Sequence, residues 1–126
     1  PAACWPAGVL ALGARLVTNT REIAADDFFQ GLYGTALRTD ELLVAVRFPL
    51  PLAARYHKHE QPASRFAMVG VAVARLPAPH GTTVRVAITG LGHGVLRWTQ
   101  AEQALSAQWR VCALEAVEFP PGEALG

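Results

Sequence analysis

The chain has 126 residues, 52% of them hydrophobic and 17% charged, which corresponds to one globular domain or parts of two. This length excludes a large multidomain enzyme. Eleven basic and ten acidic residues leave a formal charge of +1, so no electrostatic excess exists to bind nucleic acid or an anionic membrane.

Cysteine usage and hydropathy indicate the cellular setting. Cys4 and Cys112 lie far apart and form no C-x-x-C pair, which favours a reduced, cytoplasmic chain. The longest apolar stretches are far shorter than the roughly 20 residues of a membrane-spanning helix. We therefore expect no transmembrane segment and no signal peptide, and we expect the chain to be a segment of a longer protein.

The first part of the chain predicts two strands with a short helix between them. Alternation over residues 9–18 predicts a strand with one well-buried face. Residues 24–29 place two acids before two phenylalanines, as a short helix with acids in its first turn would. Residues 41–48 predict a second strand, and the prolines of residues 49–51 end it. The proline pair is the best domain boundary in the sequence.

The second part predicts an antiparallel hairpin with a helix after it. Residues 55–60 suit a short strand, and residues 66–76 and 82–91 suit two strands joined by a Pro/Gly turn. Thr99 and Glu102 have the spacing of a capping box, so we expect a helix to begin at Thr99. Residues after Trp109 fit either helix or strand.

The sequence offers several weak candidates for chemistry. The glycines at 90, 92 and 94 match neither dinucleotide nor P-loop spacing, so a strand-to-helix crossover is their expected role. His57 and His59 would point the same way on a strand, as two metal ligands do, but no third ligand has suitable spacing. No serine lies in a G-x-S-x-G elbow, and no cysteine adjoins a histidine. We therefore expect no catalytic residue and no metal site.

Two further features have structural and functional readings. The acids at 26–27 and 40–41 fit a helix N-terminus and a turn, respectively, better than acid–base catalysis. Lys58 is the single lysine beside ten arginines, which suggests a site where a compact ammonium fits and a guanidinium does not. The alternative is that Lys58 is a surface lysine without a special role, retained by chance in an arginine-rich composition.

The order of the segments resembles a known family. It is similar to the later part of the FAD-binding medium subunit of molybdenum hydroxylases, including carbon monoxide dehydrogenase, and of the flavin region of xanthine dehydrogenase. The resemblance runs collinearly through nearly the whole chain. Each motif is short, and their common order is what makes the resemblance specific. The segments that carry it are Ala14-Arg15-Leu16, the R-x-I-x-x-x-x-F-F-like residues 21–29, Thr35-Ala36-Leu37, Asp40-Glu41-Leu42-Leu43, Phe48-Pro49, the Y-x-K-like Tyr56-His57-Lys58, residues 66–75 and residues 89–105.

The resemblance implies flavin contacts in this chain. It places Lys58 near the isoalloxazine ring, the backbone around Leu43 against FAD, and Tyr56 as a secondary residue that packs near the ring. A cation beside the ring stabilises the negative charge that develops on reduction. One departure concerns residues 2–4, where some relatives have an aspartate and this sequence has no acid. The family's pyrophosphate-binding glycine loops belong to a region before residue 1.

The implied fold is α+β, with an antiparallel sheet of about three strands and a helix packed on one face. Residues 1–48 would end an FAD-binding domain, and residues 49–126 would form a truncated carbon monoxide dehydrogenase flavoprotein C-terminal-like domain. The implied function is electron transfer within an oxidoreductase, through FAD to a final acceptor. Its partners would be a molybdopterin-containing large subunit and an iron–sulfur small subunit with [2Fe-2S] clusters.

Two other classes of function remain open at this point. One is a non-catalytic module that docks a partner subunit, and the other is a small α+β ligand-binding domain with His57 and His59 in its pocket. We expect the isolated segment to be inactive. We also expect it to self-associate, because part of its apolar surface would be covered in the longer protein.

Overall fold

A computed structural model describes residues 3–120 as two antiparallel sheets with helices packed against them. The first sheet has the strand order β2-β1-β3, and the second has the order β4-β5-β6-β7. This mixed content and the separate sheets confirm the α+β class. The elements are α1 (Cys4–Ala11), β1 (Arg15–Thr18), β2 (Glu22–Ala24), α2 (Ala25–Phe28), β3 (Leu43–Arg47), β4 (Ala53–Glu60), β5 (Ala67–Ala78), β6 (Gly81–Thr89), β7 (Leu96–Arg97), α3 (Thr99–Ala107) and a 3₁₀ turn (Val111–Leu114).

The hairpin predicted from alternation forms the centre of the second sheet. β5 and β6 pair in continuous register from Gly70 opposite Thr89 to Ala78 opposite Gly81, which confirms the prediction. β4 pairs along the other side of β5 and is an edge strand. The sheet has four strands rather than about three, because the two-residue β7 adds to the outer side of β6.

The second sheet is covered on both faces. Alternate residues of β5 and β6, such as Ala72 and Ala87, pack with α1. The opposite face, with Val86 and Ile88, packs against Trp98 and α3, as the predicted helix on one face requires. α1 covers the other face, for which the sequence predicted no helix. Alanines on the α1 side let helix and sheet approach closely, because they project only a methyl group.

The strand predicted over residues 9–18 is wrong in its first part, where the chain is helical. α1 has Pro6 in its first turn, where the missing N–H has no intrahelical partner to lose. Gly13, with φ +60°, ends it, and the N–H groups of Gly13 and Ala14 bond to the carbonyls of Leu10 and Val9, both at 3.1 Å. Strand structure begins only at Arg15. Short apolar runs are compatible with both helix and strand, so packing on the second sheet determines that residues 4–11 are helical.

The helix start at Thr99 is confirmed, but the predicted capping box does not form. Trp98 occupies the N-cap position, with no side-chain hydrogen bond that caps the helix. The Glu102 carboxylate is instead directed to β6 and β7, where its Oε1 accepts from the backbone N–H of Val86 at 2.9 Å and from Arg97 Nε at 2.8 Å. Because Glu102 is buried, these bonds to a neighbouring strand and an arginine satisfy it better than its own helix terminus. Residues 111–114, which fitted helix or strand, form the 3₁₀ turn.

None of the helices within residues 3–120 is long and apolar enough to cross a membrane.

Candidate functional site

Lys58 lies on β4 with its ammonium held at one end of the sheet. Its register partner is Gly70, so Lys58 projects from the face of the sheet that α1 also covers. Nζ donates to the carbonyl oxygen of Arg65 at 2.7 Å and lies 3.4 Å from a carboxylate oxygen of Glu60. The side chain is 30% exposed. A cation that is anchored on one side and open on another can hold an anionic or polar ligand group.

Tyr56 lies two residues before Lys58, on the same face of β4. Its hydroxyl is buried and forms no hydrogen bond within the part of the chain that the structure describes. Burial, together with the nearby Cys4 thiol, raises the pKa of Tyr56 to about 12. A Cβ atom at Gly70 would overlap the hydroxyl oxygen, so glycine is required there by close approach. Tyr56 is therefore a packed, neutral phenol.

We expect Tyr56→Phe to raise the free energy of unfolding by about 1 kcal/mol. In the wild-type protein the buried hydroxyl is removed from water without forming a hydrogen bond, and phenylalanine avoids that cost. Urea unfolding of the two proteins measures the difference. The control is Tyr33→Phe, which removes a hydroxyl from a residue that is 88% exposed and should change nothing. A loss of stability in Tyr56→Phe would show that the hydroxyl has a partner that stabilises it.

Leu43 belongs to the other sheet. It is the first residue of β3, pairs with Thr18 across the first sheet, and is 44% exposed. Tyr56 and Lys58 therefore share one strand and one face, whereas Leu43 contributes an apolar side chain from a separate sheet. The three residues that the resemblance singled out thus come from both sheets.

The other candidate residues lie outside the region of Lys58 and Tyr56. His57 and His59 project from the opposite face of β4 and are exposed. Residues 3–120 contain no group of three or more His, Cys, Asp or Glu side chains that could hold a metal ion. Gly90, with φ +91°, turns the chain after β6, and a Cβ there would overlap the carbonyl oxygen of Met68. The glycines after β6 thus lie in the loop that joins the antiparallel neighbours β6 and β7, so the expected strand-to-helix crossover is wrong: a two-residue strand comes before the helix.

Sequence reasoning missed a buried carboxylate at Glu41, which it assigned to a turn. The Glu41 side chain is only 1% exposed and accepts from Arg21 Nε at 2.8 Å and from the backbone N–H of Arg38 at 3.0 Å. The hydroxyls of Thr18 and Thr20 donate to it at 2.8 and 3.0 Å. The hydrogen bonds from Arg21 and from the Arg38 amide hold the pKa of Glu41 well below its usual range. This cluster secures the loop before β3, and hence the position of Leu43.

We expect Glu41→Gln to destabilise the protein at neutral pH and to make its stability less dependent on pH in acid. The pKa of Glu41 is depressed in the folded state, so its carboxylate stabilises the fold above the unfolded pKa, roughly 4.3, and this contribution is lost as pH falls through the folded value. Thermal unfolding between pH 7 and pH 2 measures the difference between the proteins. An equal difference at every pH would contradict the assignment.

A second missed cluster joins α1 and α2 to the second sheet. Arg85 on β6 donates through Nη2 to both oxygens of Asp26 on α2, each at 2.8 Å, and its Nε and Nη2 donate to the carbonyl oxygen of Leu10 at 3.0 and 2.8 Å. Arg97 donates to Asp26 at 3.1 Å and to Glu102 Oε2 at 2.5 Å. Burial raises the pKa of Asp26, but the bonds from the two arginines outweigh it and leave the pKa lowered. Asp26 is thus an ionised contact between α2 and the second sheet.

The chain is similar in sequence and fold to parts of known dehydrogenases. It is 32% identical over 116 residues to caffeine dehydrogenase subunit beta of Pseudomonas sp. strain CBB1, which covers 83% of this chain and 39% of that relative. The structure of carbon monoxide dehydrogenase from Hydrogenophaga pseudoflava matches 82% of this chain and 39% of its own chain, with 29% identity and a TM-score of 0.71. A cyanide-inactivated Cu,Mo carbon monoxide dehydrogenase matches 98% of this chain and 49% of its own, with 26% identity and a TM-score of 0.73. No protein-family model matches the chain.

These likenesses confirm the resemblance that the sequence motifs predicted. The fold is that of the corresponding part of the carbon monoxide dehydrogenase chains, and the sequence is related to a caffeine dehydrogenase subunit, both of the molybdenum hydroxylase kind that the motifs indicated. The chain spans about 39% of the length of the curated relative that it matches.

Proposed function

We propose that the chain is part of the flavoprotein subunit of a molybdenum-containing dehydrogenase or hydroxylase, which passes electrons from iron–sulfur clusters through FAD to a final acceptor. The observation that carries the proposal is the 32% identity to a caffeine dehydrogenase subunit, along a chain with the carbon monoxide dehydrogenase fold. The partners would be a molybdopterin-containing large subunit and a small subunit with [2Fe-2S] clusters, in the cytoplasm. The role is that of an oxidoreductase subunit, akin to the flavin region of xanthine dehydrogenase.

Lys58 and Tyr56 on the α1 side of β4, and Leu43 on β3, are the residues that would contact a bound flavin. Lys58 supplies a cation that is 30% exposed, donates one hydrogen bond to Arg65 and lies 3.4 Å from Glu60, so at least one of its three N–H donors remains for a ligand. Leu43 supplies a partly exposed apolar surface of the kind on which a ring packs. Tyr56 fits through its ring, because its hydroxyl is enclosed against Gly70.

FAD, when bound, supplies the redox-active ring through which electrons enter and leave. The task of Lys58 is to keep a positive charge beside that ring, so that added negative charge is stabilised. The task of Leu43 is to exclude water from it. The task of Tyr56 is to fill the space below β4 and thereby hold the strand that carries Lys58. None of the three transfers a proton or an electron.

We also propose that residues 1–48 and 49–126 belong to two domains of the parent subunit. Support comes from the chain passing from the first sheet to the second between Arg47 and Ala53. α1 nevertheless packs on the second sheet, and Asp26 bonds to Arg85 there, so the two parts share an interface.

The absorbance spectrum of the purified full-length protein tests the flavin proposal. We expect a yellow protein with the two visible bands of an oxidised flavin and a stoichiometry of one flavin per chain. Release of the chromophore by acid and its identification by chromatography distinguish FAD from FMN. A folded full-length protein without flavin, which stays colourless after incubation with FAD, would contradict the proposal.

An interaction module is the second candidate, favoured by the apolar surface around β3. β3 is an edge strand of the first sheet, and large apolar side chains in and after it are exposed. Such surfaces bind other protein surfaces. We propose that the isolated segment self-associates through them, and sedimentation at several protein concentrations tests this. The residues concerned are Leu42 (72% exposed), Val44 (66%), Leu50 (88%) and Leu52 (60%).

A further inference from the structure

A cationic pocket lies on the face of the second sheet that is opposite to Lys58. The pocket has a volume of ≈ 290 Å³ and is bounded by the start of β4, the middle of β5 and the chain that follows α3. We name it the Trp109 pocket. Its lining residues are Ala53, Ala54, Arg55, Val73 and Trp109.

The register of β4 and β5 concentrates positive charge at this pocket. Arg55 pairs with Val73, and Ala53 pairs with Arg75, so the two arginines occupy diagonal positions on one face. Diagonal neighbours on a sheet lie about 7–8 Å apart, close enough for both guanidiniums to reach one ligand. The strand positions on this face that neighbour the two arginines include no aspartate or glutamate, and Glu60 lies at the far end of β4, beyond the bulge after His59. The face therefore carries a local excess of positive charge although the whole chain is nearly neutral.

Neither arginine is neutralised by the residues around it. Within residues 3–120, Arg55 and Arg75 take part in no ion pair, whereas Arg21, Arg85 and Arg97 all do. Arg75 instead donates through Nε to the hydroxyl of Thr82 at 3.3 Å. Two unpaired guanidiniums on one face repel each other, and an anion between them would remove that repulsion.

Trp109 adds an aromatic wall to the cationic site. Trp109 is 44% exposed, and the Cζ atom of Arg75 lies 5.8 Å from the ring centroid, a cation–π distance that holds the ring beside the sheet. The floor is apolar, since Val73 and two alanines complete the lining. An aromatic wall, an apolar floor and a guanidinium at the rim fit a flat apolar ring that bears an anionic group.

We propose that the Trp109 pocket binds a small aromatic carboxylate. The ring of the ligand stacks on Trp109, and the carboxylate accepts hydrogen bonds from the planar fork of Arg55. The volume lies just below the usual range of about 300–1,000 Å³ for ligand pockets, which favours a single ring over a dinucleotide. This site is separate from the proposed flavin site, because residues 55 and 58 project from opposite faces of β4. It does not depend on the proposed function.

Calorimetric titration of the full-length protein with benzoate tests the proposal. At low ionic strength, where charge pairs are least screened, we expect saturable binding of one benzoate per chain. Benzyl alcohol, which has the ring without the charge, and acetate, which has the charge without the ring, should each bind at least about tenfold more weakly. Equal binding of benzoate and acetate would overturn the proposal, because it would show a general anion site without a role for Trp109.

Variants locate the binding. Arg55→Gln and Trp109→Ala should each weaken benzoate binding at least about tenfold, because each removes one half of the recognition. Trp109→Phe keeps an aromatic wall and should retain most of the affinity, which guards against a folding defect in Trp109→Ala. Arg110→Gln removes a neighbouring charge that does not line the pocket, and it should leave binding unchanged. Failure of the wild-type protein to bind benzoate, or equal loss in Arg110→Gln and Arg55→Gln, would overturn the proposal.

Discussion

Replacing Arg85 by methionine is expected to lower the free energy of unfolding by about 2 to 4 kcal/mol, because several charge-assisted hydrogen bonds are lost together. The Arg85 side chain is only 14% exposed and connects the end of α1, through the carbonyl of Leu10, with Asp26 on α2. Methionine keeps much of the apolar volume of the arginine. The loss therefore reports on the hydrogen bonds and the charge rather than on a cavity.

Urea unfolding followed by circular dichroism measures the effect of Arg85→Met. Arg47→Met is a matched control, since it removes an arginine from an ion pair with Glu22 in which the arginine side chain is 66% exposed. Exposed pairs contribute little, so this control should change the free energy of unfolding by less than about 1 kcal/mol. Equal effects of the two substitutions would show that Arg85 does not join α1 and α2 to the second sheet in solution.

Replacing Lys58 by methionine in the full-length protein is expected to lower the two-electron potential of the flavin by about 30 to 60 mV. Removal of one charge-assisted interaction of about 1.5–3 kcal/mol from the reduced ring corresponds to this shift. We expect weaker retention of FAD as well, because the cation also favours the bound cofactor. Lys58→Arg keeps the charge but not the compact ammonium, and it should recover the potential in part.

Redox titration against indicator dyes measures the potential of each variant, and the absorbance ratio of flavin to protein measures retention. His59→Gln is the control, because His59 is exposed on the other face of β4 and should affect neither quantity. Flavin content and potential that are unchanged in Lys58→Met would refute the role assigned to this lysine while leaving flavin binding by the chain intact. A shift of equal size in His59→Gln would refute it too.

Local patterns in the sequence predicted the elements that have strong local signals. The β5–β6 hairpin follows from alternation on both sides of a proline- and glycine-rich turn. The short helix after residue 24 follows from its paired acids, and the start of α3 at Thr99 was predicted to the residue. In each case the side-chain period or the turn chemistry belongs to one short stretch. Adjacent residues are then enough to determine the result.

Patterns failed where distant residues decide. Residues 4–11 are apolar on all sides, so the alternation pattern predicted a strand from residue 9. Packing against the second sheet makes these residues helical instead. Glu102 has capping-box spacing, yet a strand amide and Arg97 are its actual partners. Asp26 fitted a helix N-terminus, and its bond to Arg85 joins residues that are 59 positions apart. No local pattern contains such a pair.

The residues of the candidate site were likewise predicted in part from the sequence and in part only seen in the structure. The single lysine marked Lys58 by composition, and the order of motifs indicated the family. Only the tertiary structure showed that the phenol of Tyr56 is enclosed against Gly70 and that Glu41 is a buried carboxylate. It also showed that Trp109 lies beside two arginines of the hairpin and its edge strand.

By itself, the sequence determined the fold class, the family resemblance and most of the strands, because these depend on composition, on the order of motifs and on side-chain periods within short stretches. The tertiary structure decided the helical state of α1, the partners of the buried charges and which elements cover each face of the second sheet. These depend on which distant groups meet in a medium without water. There, each charge must find a partner and each apolar face must find a cover, wherever along the chain they lie.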